Sequence, residues 1–198
     1  MPRPNFAQDA PPTEIAVGGV SYKANVDFRV WIGVLRELQG LVPVPETAEQ
    51  AMRNAEILGQ AETAIFGRIL RHPASEMLDA ILNFSRGYPE APVEGGRPGG
   101  AQTYSFEWDL NYIVIAIMNQ FGIDLSWRRK EPFHWWEFLL YFRALSGSHY
   151  ILRLMEIRGY DGKDEDLKRQ AYRFALPAED TAEDQAILDQ FDELFYNS

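Results

Sequence analysis

Apolar positions along this chain follow two rhythms. Near the start, Glu14-Ile-Ala-Val-Gly-Gly-Val-Ser-Tyr-Lys23 alternates about the pair Gly18-Gly19, and alternation broken by two glycines is the pattern of a two-residue β-hairpin. The loop length sets the register. Val17 then pairs with Val20 and Ile15 with Tyr22 on one face, with Ala16 opposite Ser21 and Glu14 opposite Lys23 on the other. A lone hairpin is marginal, so its apolar face has to rest on helices.

From Asp27 onward the spacing changes to threes and fours. Asp27 stands as an N-cap before Phe28, Trp31, Ile32, Leu35 and Leu38, a single helical stripe that stops at Gly40. After Pro43 and Pro45, Thr47 opens a long helical stretch through Met52, Ala55, Leu58, Ala61, Ile65 and Ile69, expected to end at His72-Pro73. A short helix follows through Met77, Leu78, Ile81, Leu82 and Phe84, closed by Gly87-Tyr88-Pro89. The second half predicts helices near 107–120, 133–145, 148–158, 164–175 and 181–195. Their starts are marked by Glu107 or Asp109 in a first turn, Pro132 before Phe133, Ser148 after Gly147, Asp164 after Gly162, and Thr181 with Asp184 three residues on.

The organisation that follows is a disordered lead-in over 1–13, a hairpin plus helices over 14–87, a Pro- and Gly-rich linker over 88–103, an aromatic-rich helical module over 104–177 and an acidic C-terminal helix over 178–198. The fold class is mainly α, a helical bundle with a short N-terminal β-hairpin. Gly95-Gly96-Arg97-Pro98-Gly99-Gly100 lacks the Gly-Lys-Ser/Thr ending of a phosphate loop and follows no strand. It reads as linker.

Composition narrows the function. With 198 residues and no cysteine, a single core needs no staples, and disulfides, thiol catalysis and thiolate metal sites are excluded. The lead-in has no apolar core of a signal peptide and no apolar run reaches membrane-spanning length, so a soluble, membrane-free protein is expected. A net charge of −10 and a pI near 4.8 leave only Arg128-Arg129-Lys130 as a basic knot, too little for a nucleic-acid groove. Residues 178–198 carry Glu179, Asp180, Glu183, Asp184, Asp189, Asp192 and Glu193 with no Lys or Arg. That end is a solvated acidic element or a docking element for a basic partner.

Catalytic chemistry is sparse. The histidines His72, His134 and His149 lie far apart, and no nucleophile elbow, His-Glu-x-x-His helix or Ser-x-x-Lys is present. His134 and Glu137 share a helix face as half of a metal site, with His149 the remote third candidate, but no third ligand is identifiable by spacing. Asp161, Asp164, Glu165 and Asp166 fit a turn and an N-cap better than a cation loop. No cofactor, metal or catalytic residue is expected.

The concentrated feature is aromatic. Trp108, Tyr112, Phe121, Trp127, Phe133, Trp135, Trp136, Phe138, Tyr141, Phe142 and Tyr150 fall in one stretch, and around 133–145 apolar side chains cover most of a helix circumference. Either that helix is buried all round or part of its aromatic surface meets another protein. The partner-binding candidates, as anchors or as the core supporting them, are Trp108, Tyr112, Trp135, Trp136, Phe138 and Arg143.

Three blocks carry a family resemblance. They are Asn25-Val-Asp-Phe-Arg-Val-Trp31, Asp109-Leu-Asn-Tyr-Ile-Val-Ile-Ala-Ile-Met-Asn-Gln-Phe-Gly-Ile-Asp-Leu125, and His134-Trp-Trp-Glu-Phe138 followed by Phe142-Arg-Ala-Leu145, with weaker agreement over Arg153–Arg158. In this order they resemble the gene-product-fifteen family of long-tailed bacteriophages and prophages. The resemblance implies a gene between the major tail protein and the tape-measure protein, hence a non-enzymatic tail assembly chaperone. Such a protein would bind the tape-measure protein, and with it other tail proteins or a second copy of itself. It would work in the host cytoplasm and be absent from the mature virion. The alternative is a virion structural component, such as a head–tail joining or tail-terminator protein.

Overall fold

The computed structural model describes residues 6–88 and 103–177, and the expected linker and the acidic C-terminal helix lie largely or wholly outside them. Among the described residues the order is β1 (Glu14–Val17), β2 (Val20–Lys23), α1 (Phe28–Gln39), α2 (Ala48–Phe66), α3 (Ala74–Ser85), α4 (Phe106–Phe121), α5 (Trp135–Arg143), α6 (Tyr150–Arg158) and α7 (Glu165–Arg173). The fold is mainly α with one antiparallel hairpin, as the spacing implied.

The hairpin has the expected register, Glu14 with Lys23, Ile15 with Tyr22, Ala16 with Ser21 and Val17 with Val20. Gly18 and Gly19 take φ of 56° and 81°, the left-handed values that a primed turn demands. The two strands differ in burial. Ile15 and Val17 are enclosed against α3, whereas Val20 is half exposed and Tyr22 reaches sideways to place its hydroxyl 2.8 Å from His72 Nε2.

Helix starts are set locally. Asp27 caps α1, Thr47 and Gln50 form a capping box on α2, Ser105 caps α4 and Asp164 caps α7. Several boundaries differ from the periodicity, among them the start of α6, which falls at Tyr150 behind His149 rather than at Ser148, and two have a visible cause. The long helix stops at Phe66 because Gly67 takes the left-handed C-cap conformation, so Ile69 and Leu70 leave the helix. Leu70 N–H instead donates to the buried Glu62 carboxylate at 2.5 Å. The helix expected from 133 starts only at Trp135, because the chain before it is extended and pairs with the chain before α1. Phe28 N–H donates to Phe133 O at 2.9 Å and Trp135 N–H to Val26 O at 2.7 Å.

That crossing sets the core. Phe28 stacks on Phe138 at 4.8 Å, and Trp31 stacks on Phe84 at 4.7 Å and lies over Trp135 at 6.3 Å. Each stacked aromatic pair adds roughly 0.5–1.5 kcal/mol beyond its area burial. Residues before and after the undescribed stretch 89–102 thus share one hydrophobic core.

Candidate functional site

The site begins with what fixes the rotation of α4. Ser105 Oγ accepts from Glu107 N–H at 3.2 Å, and Asp109 Oδ2 accepts from Ser105 N–H at 2.9 Å. Asp109 is almost fully buried and takes a two-pronged ion pair from Arg158, at 2.6 Å and 3.1 Å. Arg158 also donates to Thr103 O and, through Nε, to Phe174 O at 2.7 Å. One guanidinium therefore ties together the start of α4, the end of α6 and the chain after α7, with both charges compensated. At the far end, Gln120 Oε1 accepts from Ser146 N–H and sits 2.8 Å from His149 Nε2, while Gln120 Nε2 donates to Ala144 O. With Asp109 at Arg158 and Gln120 at His149, α4 and α6 run antiparallel.

Pinned at both ends, α4 turns Asp109, Ile113, Ala116 and Ile117 inward. Its opposite face must then point outward. Trp108, Tyr112 and Ile115, at steps of four and three on one side of the helix, are 58%, 43% and 54% exposed, and Tyr150 of α6 lies edge-on to Tyr112 at 5.0 Å while itself half exposed. These four side chains form an apolar patch bordered by Asn111 and Asn119. It is the candidate functional site.

The other candidates sit elsewhere. Trp135, Trp136 and Phe138 are 1%, 9% and 0% exposed. Their indole N–H groups are spent inside, Trp135 on Ser85 O and Trp136 on Phe84 O, both at 2.8 Å. Helix α5 is buried nearly all round by α1, α3 and the ring of Phe106, so its rings are core and none of the three presents a docking surface. Arg143 is exposed and donates to Arg86 O at 3.0 Å, which bridges α5 to the end of α3. There Gly87, at φ 76°, leaves no room for a Cβ against Leu139. Ile115 and Tyr150 were not singled out among the candidates. The available signal was Ile115 standing seven residues after Trp108.

The proposed metal half-site is occupied by structural bonds. His134 Nδ1 accepts from Trp136 N–H at 3.0 Å, so the ring proton is on Nε2 and donates to Pro12 O at 2.9 Å. No lone pair is left for a metal. Burial pushes the His134 pKa below its ordinary value, against opposing contributions from the Pro12 bond and the Glu137 charge. Asp27 carries the adjacent charge. Burial raises its carboxyl, but the Arg29 hydrogen bonds, the Arg29 amide and charge and the Phe133 amide outweigh this and hold it below the usual carboxylate range. The Asp161–Asp166 group is likewise structural at its centre, with Asp164 accepting from Asp166 N–H and Leu167 N–H.

The three resemblance blocks are thus the parts that lock the fold: Asn25 to Trp31 at the chain crossing, Asp109 to Gln120 at the two ends of α4, and His134 to Phe138 in the core. A family model described as bacteriophage Gp15 protein matches residues 8–176. The chain belongs to the bacteriophage Gp15 family. The family points to a phage structural or assembly protein. No curated protein and no solved structure matches the chain. Among the described residues of this Gp15-family chain, no helix is long and apolar enough to cross a membrane.

Proposed function

We propose that this phage protein is a tail assembly chaperone that binds the helical tape-measure protein, covers its apolar surface and assists tail-tube polymerisation without catalysing a reaction. The observation that carries this reading is the outward patch of Trp108, Tyr112, Ile115 and Tyr150 on rigidly held helices. An amphipathic client helix presents apolar residues every three and four positions, and an α-helical strip of matching step is the surface that receives it. Trp and Tyr are the residues that dominate such interfaces. The stretch from Trp108 to Ile115 is about 10 Å long at 1.5 Å per residue, room for two turns of client.

The gene position implied by the resemblance supports the same client. The net charge of −10 keeps a loaded complex soluble and disfavours nucleic acid. Both nitrogens of the most enclosed histidine are committed to backbone groups, which favours a binding role over catalysis there. The setting is the host cytoplasm, and the protein leaves before the virion matures.

Co-expression with the neighbouring tape-measure gene tests the proposal. A soluble complex is expected, with capture reduced at least tenfold in a Trp108→Ala/Tyr112→Ala chain that still folds. A client equally insoluble with and without this protein overturns it. Mass spectrometry of purified virions separates the structural alternative, since stoichiometric recovery in particles identifies a retained component.

A further inference from the structure

The apolar patch on α4 and α6 lies next to the point where the described chain leaves the fold. Arg158 holds the Phe174 carbonyl and the Asp109 carboxylate on the same guanidinium, and Asp109 adjoins Trp108 in sequence. Three residues after Phe174 comes Pro177, and residues 178–198 follow. That is ample length. Fifteen helical residues span about 22 Å, roughly twice the distance from Trp108 to Ile115.

The pattern of the segment fits the patch. Ile187, Leu188, Phe191, Leu194 and Phe195 fall at steps of one, three, three and one, a single apolar stripe on a helix, whereas Asp189, Asp192 and Glu193 lie off it. Thr181 with Asp184 three residues on supplies a helix start. Charge agrees as well. Arg153, one turn along α6 from Tyr150, is exposed and makes no side-chain hydrogen bond or ion pair among the described residues. An acidic helix laid on this face would meet a cation. The family match ends at residue 176, so this segment is additional to the part shared with the family.

We propose that residues 181–195 form an amphipathic helix that docks in cis on the Trp108, Tyr112, Ile115 and Tyr150 patch and caps it in the free protein. The cap shields the rings from other copies and from solvent. That a client displaces it rests on the chaperone reading above; the docking itself does not.

Amide hydrogen exchange on the full-length chain tests the cap. Amides of 187–195 are expected to exchange at least tenfold more slowly than in an unstructured peptide of that sequence. The protection should be lost in Leu188→Asp/Phe191→Asp and also in Trp108→Ala/Tyr112→Ala, with the amides of α1 unchanged in both as the check on folding. Exchange of 187–195 at peptide rates overturns the proposal. So does protection that survives the Trp108→Ala/Tyr112→Ala change, which would place the segment elsewhere, or protection that scales with protein concentration, which would place it on a second copy. All of these are measured without client. A failed tape-measure capture therefore leaves the cap standing, and an absent cap leaves the capture experiment untouched.

Discussion

Helices α4 and α5 are both rich in aromatic side chains, yet α5 encloses its tryptophans while α4 turns Trp108 and Tyr112 outward. In α5, Trp135, Phe138 and Phe142 are enclosed from different sides because α1, α3 and Phe106 surround the helix. In α4 the inner face is aliphatic, Ile113, Ala116 and Ile117, and the rings of Trp108 and Tyr112 face out. Aromatic density therefore marks the core throughout α5, whereas in α4 it is divided, with Phe106 and Phe121 packed inward at the ends and Trp108 and Tyr112 facing out. Position in the fold separates the two, since a short central helix buries its whole circumference and a peripheral one buries only a stripe.

Four single substitutions and one double replacement test this contrast. Trp135→Ala should have the largest effect, a loss of roughly 3–5 kcal/mol in denaturant unfolding, because it leaves a cavity among Trp31, Phe106 and Phe138 and orphans the Ser85 carbonyl. A cost below about 1 kcal/mol would mean that α5 is not the enclosed helix described. Asp109→Ala comes next, about 3 kcal/mol by chemical denaturation, since it strands the buried Arg158 charge. Replacing both partners by apolar residues, Asp109→Leu with Arg158→Met, should recover part of that loss, and no recovery would mean that the other bonds of Arg158 matter more than the pair.

His134→Ala removes an N-cap and the Pro12 tie, for about 1–2 kcal/mol in thermal unfolding. The pH dependence has a definite sign. The His134 pKa is lowered on folding, so above the ordinary histidine value near 6.5 both states are neutral and its contribution is whole. As pH falls below that value the unfolded chain takes up the proton first, and stability declines toward the lowered folded value. The His134→Ala chain should show a flatter stability profile between pH 7 and 5, and an unchanged slope would remove His134 as the cause.

Trp108→Ala should cost the least, within about 0.5 kcal/mol, because its ring is more than half exposed. Its effect should instead appear in partner capture. A Trp108→Ala loss as large as that of Trp135→Ala would erase the contrast between the two helices.

Much of the local structure was legible in the chain. Gly18-Gly19 fixed the hairpin register, Asp27 and Asp164 announced their helices, and Glu107 and Asp109 marked the first turn of α4. These features depend on neighbours within a turn. One error was local, the Gly67 stop that ends α2 before Ile69, and the others came from long range. The start of α5 moved because residues 133–135 pair with residues 26–28, about a hundred positions away, and a backbone ladder of that kind leaves no mark on helical periodicity. Trp135, Trp136 and Phe138 stood beside Trp108 and Tyr112 as equal candidates because side-chain type is the same in a core and at an interface.

The sequence by itself determined the mainly helical class, the hairpin, the caps Asp27, Thr47 and Asp164, and the family, because propensity, capping and turn chemistry act between residues a few positions apart. Only the tertiary structure decided which rings face outward. That choice depends on how the Asp109–Arg158 pair and the Gln120 bonds set the rotation of α4 against α6, and the energy of a buried ion pair exists only once distant segments have excluded water from it.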